Sequence, residues 1–175
     1  MTDFKHYKLQ YKQYLDEHIL PFWLHHSSDD IYGGFFTSMD REGKVFDSDK
    51  FIWLQARQVW TFSMLYNQYQ QREDFLDMVK SGTAFLQKNG MDPEGNWYFA
   101  LNRKGEPLVQ SYNIFSDCFA AMAFAQASRA LDSREYKELA VGTFRNILKR
   151  QENPKGKYNK IYPGTRELKN FALPM

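Results

Sequence analysis

Cysteine is nearly absent. Cys118 stands alone in 175 residues, which excludes an internal disulfide and suits a reducing compartment. No apolar run approaches the ~18 residues of a membrane-spanning helix. There is no basic block either: 23 Lys and Arg against 21 Asp and Glu leave a net charge of +2, which argues against a nucleic-acid surface. The opening MTDFKHYKLQ lacks the apolar stretch of a secretory signal. The phosphate-loop spacing G-x-x-x-x-G-K-[ST] is missing too, so nucleotide binding has no support from motif. A soluble, cytoplasmic protein that binds no nucleic acid and no membrane is expected.

Aromatic residues are what the chain has in excess: 15 Phe, 11 Tyr and 4 Trp, 17% of the total. Side chains of this kind fill cores, and they also line carbohydrate sites. One stretch brings the two uses into conflict. In WLQARQVW, residues 53–60, Trp53, Arg57 and Trp60 fall at i, i+4 and i+7, one face of a helix. A dry core excludes a guanidinium whose five donors are unmet, and a solvent face does not carry two tryptophans.

An internal repeat sets the direction of that face. DIYGGFFTSMDREGKVF and DPEGNWYFALNRKGEPL superpose with a shift of about 62 residues. The shift places Asp30 on Asp92, Gly33 on Gly95, Phe36 on Tyr98, Asp40 on Asn102, Arg41 on Arg103 and Gly43 on Gly105. A third partial copy, NPKGKY, keeps Asn153 and Gly156 at an offset of 61. Each copy reads as a tight turn, a strand, a D/N-R-x-G hairpin turn and a return strand. The segment after each hairpin, DKFIWLQARQVWTFSMLYNQY and then YNIFSDCFAAMAFAQASRAL, is apolar on two faces, as a helix buried on both sides must be. Residues 72–88 and 134–150 instead carry one apolar stripe and one charged face, as does a first helix over about 4–20.

The unit is therefore an outer amphipathic helix, a short hairpin and a doubly buried inner helix. Repeated, it builds an all-α, (α/α)6-type toroid whose inner helices ring an axis. Residues 1–175 supply about five helices of such a ring, one N-terminal arc of a single domain. An arc leaves inner-helix faces open, so the chain is expected to be a truncated copy of a longer protein. Completion of its core by a second copy is the other solution.

The motifs YGGFFTSMDREGKVFDSDKFIWLQARQVW, IFSDCFAAMAFAQ and NFALPM closely resemble the N-acylglucosamine 2-epimerase family. The likeness runs through essentially the whole chain and corresponds to the N-terminal half of a typical member. It implies an (α/α)6 barrel acting on sugars, in this subtype on the N-acetylglucosamine and N-acetylmannosamine pair. Sister enzymes isomerise or epimerise other sugars. It further implies an amino-sugar substrate, no required cofactor, ATP as an allosteric activator in some members, and a homodimer. Epimerisation at C2 needs a base, an acid on the opposite face and groups that hold the enediolate oxygens. The family's acid/base pair is two histidines of the C-terminal half, expected beyond Met175. By motif position this chain contributes substrate-binding Arg57, Trp53 and Tyr112.

The residues alone leave alternatives open. Arg57 can face the cavity or pair with Asp47, Asp49 or Asp117. Trp53 can be a sugar-stacking wall or core, and Tyr112 a cavity contact or a helix-start residue. Trp60 reads as core, Asp117 as a helix-start charge, and Cys118 as a small core residue aligned with Ala56. His6, His18, His25 and His26 have no metal-ligand spacing, and His25–His26 read as a polar turn. An aldose–ketose isomerase, an epimerase of another sugar, and an inactive fragment or sugar-binding remnant remain alternatives to the N-acetylglucosamine epimerase.

Overall fold

The computed structural model describes residues 4–111 and 114–152. Helix α1 (Phe4–Tyr14) runs through a π-helical turn (Leu15–Ile19) into α2 (Leu20–His26). Next come β1 (Ser38–Met39), β2 (Val45–Asp47), β3 (Lys50–Phe51), α3 (Ile52–Gln68) and α4 (Glu73–Asn89). The pattern then recurs as β4 (Ala100–Leu101), β5 (Pro107–Val109), α5 (Phe115–Ala130) and α6 (Arg134–Arg150). Among the described residues no helix is long and apolar enough to cross a membrane.

The inner helices α3 and α5 lie against each other, and α4 and α6 back them from outside. In α3, Ile52, Ala56 and Val59 are fully buried and Phe62 nearly so, while Trp53 and Trp60 on the other side are half-buried. Helix α3 is thus sealed on one face by its neighbours, while the Trp53–Arg57–Trp60 face is half-buried to exposed, short of the burial on both sides expected from the sequence. Outer helices bury one stripe only: Phe75, Met78, Val79, Phe85 and Leu86 in α4. Their ends carry the charges a helix favours. Glu73 and Asp74 occupy the first turn of α4, Lys149 and Arg150 the last turn of α6, and Ser133 Oγ accepts the Tyr136 N–H at 3.3 Å.

The hairpins are copies of one another to the level of single hydrogen bonds. Asp40 N and Gly43 N donate to Lys44 O and Asp40 O, and Asn102 N and Gly105 N donate to Glu106 O and Asn102 O, all at 2.8–3.0 Å. In each turn the side-chain Oδ1 of the Asp or Asn accepts two further amides. Gly43 is obligatory: its φ is +86° and a Cβ there would lie 2.3 Å from the His26 ring. Strand β3 leaves the first repeat to pair with β4 of the second, Lys50 opposite Leu101 and Phe51 opposite Ala100. One three-stranded sheet thus fastens consecutive repeats.

Two readings from the sequence need correction. The first helical body extends through His26, so His25 and His26 form its last turn and not a polar loop. Loop alignment also shifts by one residue. Asp29, not Asp30, is the counterpart of Asp92, because each accepts the glycine N–H that closes its loop (Gly33 and Gly95). Each also accepts two later amides through Oδ1. The first loop is one residue longer, which hides the match in a fixed-offset comparison.

Candidate active site

The inner faces of α3 and α5 carry a cluster of three side chains. Arg57 is exposed. Its guanidinium carbon lies 5.5 Å from the Trp53 ring centroid and 5.6 Å from that of Phe119. The two rings stand 6.1 Å apart, inclined at 45°, and both are half-buried. Cations lodge against aromatic faces at such distances because the ring quadrupole is negative above its plane. Toward the hairpins the aromatic wall continues through Phe51 and Phe99, edge to face at 5.7 Å.

No carboxylate among the described residues forms an ion pair with Arg57. The buried structural pair is thereby set aside. Asp47 instead accepts the Asp49 amide at 2.9 Å, and Asp117 pairs with Arg150 at 3.1 Å. On its other side Arg57 borders an apolar cleft of ≈ 400 Å³ between α2 and α3, with Trp23, Leu54, Phe62 and Met64 in its walls. Tyr112, the third expected contact, lies outside the described residues. Trp60 packs on the edge of the core, as expected.

Two buried polar clusters escaped the sequence reading. In the first, Asp29 and Lys50 are sealed from solvent. Lys50 Nζ donates to Asp29 Oδ2 at 2.9 Å, to Gly33 O at 2.6 Å and to Arg103 O at 3.0 Å. Arg103 grips the same carboxylate with two bonds of 3.0 and 3.1 Å. Burial pushes the Asp29 carboxyl up, but the Arg103 and Lys50 donors outweigh it and hold its pKa down at about 2. Burial lowers the Lys50 pKa. This lock sits immediately before α3, three residues from Trp53, and joins both hairpin regions to the helix that carries Arg57.

In the second cluster Asp117 is the helix-start charge expected, in the first turn of α5, and it is fully buried. Arg150 and Asn146 of α6 reach its Oδ1 at 3.1 and 3.4 Å, and Oδ2 has no partner among the described residues. Burial raises its pKa to about 6 against the pull of Arg150. Cys118 is half-buried, with its thiol pKa raised by burial. Among the described residues no group of three His, Cys, Asp or Glu could hold a metal.

An arc of paired helices with hairpins between them defines the class: part of an α/α toroid, with Arg57 in an aromatic setting and in no ion pair among the described residues. The comparisons narrow that class. The family model "N-acylglucosamine 2-epimerase (GlcNAc 2-epimerase)" matches residues 34–168. The chain is similar to the N-acylglucosamine 2-epimerases of Bos taurus, 35% identical over 91% of this chain and 39% of that protein, and of Mus musculus, 33% identical over 97% and 41%. Among solved structures it resembles the cellobiose 2-epimerase of Spirochaeta thermophila, with TM-score 0.75 and 28% identity over 83% of this chain and 36% of that one. The chain belongs to the N-acylglucosamine 2-epimerase family. It spans about two fifths of the length of the curated relatives it matches.

Proposed function

We propose that this chain is the N-terminal part of a sugar 2-epimerase that interconverts N-acetylglucosamine and N-acetylmannosamine. One observation carries the reading: the arginine that the family resemblance assigns to the substrate is exposed between Trp53 and Phe119 and forms no ion pair among the described residues. The higher identity to N-acylglucosamine 2-epimerases than to the cellobiose enzyme favours an N-acylated sugar. Arg57 would bind the oxygens on which negative charge grows once the C2 proton leaves the open-chain sugar, because five fixed donors suit an enediolate. Trp53 would form the apolar wall for the sugar, and Tyr112 a contact at the cavity mouth. The base and acid are two histidines of a further segment. His6, His18, His25 and His26 all stand on the first, outer helical body. The chemistry uses no redox cofactor; ATP activation and a homodimer are properties proposed for the whole protein.

The test is incorporation of deuterium at C2 of N-acetylmannosamine in heavy water. The family-length polypeptide containing this sequence exchanges that proton, and the 175-residue chain alone does not. Exchange by the short chain would show that the base lies within it. No exchange by the long one, with a sound fold, would remove the N-acylated substrate and leave an epimerase or isomerase of another sugar, or a sugar-binding remnant.

A further inference from the structure

Phe119 lies 62 residues after Arg57. The same interval carries β1 onto β4, Gly43 onto Gly105 and Ile52 onto the buried Ile114. Arg57 and Phe119 therefore hold one and the same position of two adjacent inner helices. The position above them is Trp53 in α3 and Phe115 in α5, also separated by 62. The wall of the cavity is laid down in layers, one side chain per repeat, and in Arg57's layer the next repeat supplies a ring.

The ring's effect on Arg57 follows from what it lacks. A carboxylate would fix the guanidinium and neutralise it, and would occupy two of its five donors. Phe119 and Trp53, at 5.6 and 5.5 Å, flank the cation through their faces and accept no conventional hydrogen bond from it. We propose that Phe119 is a positioning residue, holding the Arg57 guanidinium beside Trp53 while leaving its charge and donors free for an oxygen-rich or anionic ligand. Only the ligand's identity rests on the epimerase reading; the cage is a property of α3 and α5.

The cage is read directly on Arg57, with no sugar present. In the wild-type chain the Arg57 Hδ resonances lie upfield of ordinary arginine positions and show contacts to the Phe119 ring. Mapped by mass spectrometry, modification of Arg57 by phenylglyoxal accelerates about two- to five-fold in Phe119→Leu, the equivalent of losing one exposed cation–π contact. Phe119→Tyr, which keeps the ring, retains the wild-type rate and shift. Phe119→Met keeps bulk without a ring and must behave like Phe119→Leu, so it carries the test should the leucine variant misfold. Absence of the upfield shift in the wild type overturns the proposal. So does a methionine variant whose Arg57 shift and reactivity match the wild type. Neither result bears on C2 exchange, and failure of C2 exchange leaves the cage standing.

Discussion

In the first turn of each inner helix a buried polar side chain lies by the isolated β-bridge residue of its own repeat, Phe35 or Trp97, and the two repeats solve that position differently. Gln55 donates to Phe35 O at 2.7 Å and accepts Phe35 N–H at 2.8 Å. A neutral amide satisfies both backbone groups of a residue with no solvent access. At the equivalent place Asp117 can only accept. It lies near the Trp97 amide, needs Arg150 and Asn146 from α6, and still carries a raised pKa. The same scaffold is thus tied by a self-contained amide in one repeat and by a charge network in the other. The inward face shows the same substitution of chemistry on a fixed frame: cation at Arg57, ring at Phe119.

The sharpest break in the comparison falls on the lock around Asp29, where Lys50 and Arg103 share one carboxylate. Lys50→Met leaves the buried Asp29 carboxylate with Arg103 as its one cationic partner, beside the Ile31 and Tyr32 amides. It is expected to cost about 3–5 kcal/mol in urea unfolding, the usual penalty for removing one partner of a buried pair. A loss below about 1 kcal/mol would mean that Arg103 suffices.

Arg57→Lys should act in the opposite manner. In the family-length protein turnover falls by about 10²–10³-fold, the scale of losing one preorganised donor set. Unfolding midpoints stay within about 0.5 kcal/mol, because the side chain is exposed. Near-normal turnover would take Arg57 out of the mechanism.

Gln55→Leu removes both bonds to Phe35 and is expected to cost about 2 kcal/mol. Asp117→Asn produces the smallest effect, and its sign depends on pH. A carboxyl with a raised folded pKa keeps its proton first in the native state, so this contribution is fully present below about pH 4 and is lost as pH rises through about 6. Wild-type stability therefore carries a loss of about 1 kcal/mol between pH 5 and 7 that Asp117→Asn removes. Parallel pH profiles for the two proteins would show that Asp117 titrates normally.

Much of this was open to reading along the chain. The D/N-R-x-G turns, the glycines at positive φ and the two kinds of helix are local or periodic features, and in the first two repeats they emerged where the sequence placed them; the third partial copy at Asn153 and Gly156 lies outside the described residues. Arg57 stood out because a charge on a tryptophan stripe violates helix patterning. Phe119 was within reach by the same offset, but a phenylalanine on an apolar helix violates nothing. The Asp29–Lys50–Arg103 lock was not legible: 74 positions separate Asp29 from Arg103, and the longer first loop moved Asp29 out of register with Asp92. The fate of Asp117 hung on a helix 33 residues away.

The sequence by itself determined the repeating unit, its turns and which helices lie inside and which outside, because φ preferences and apolar periodicity act over a few residues. Only the tertiary structure decided which charges are buried together and which ring stands beside Arg57. Those outcomes depend on the packing of α5 against α3 and of α6 against α5, which no local pattern encodes.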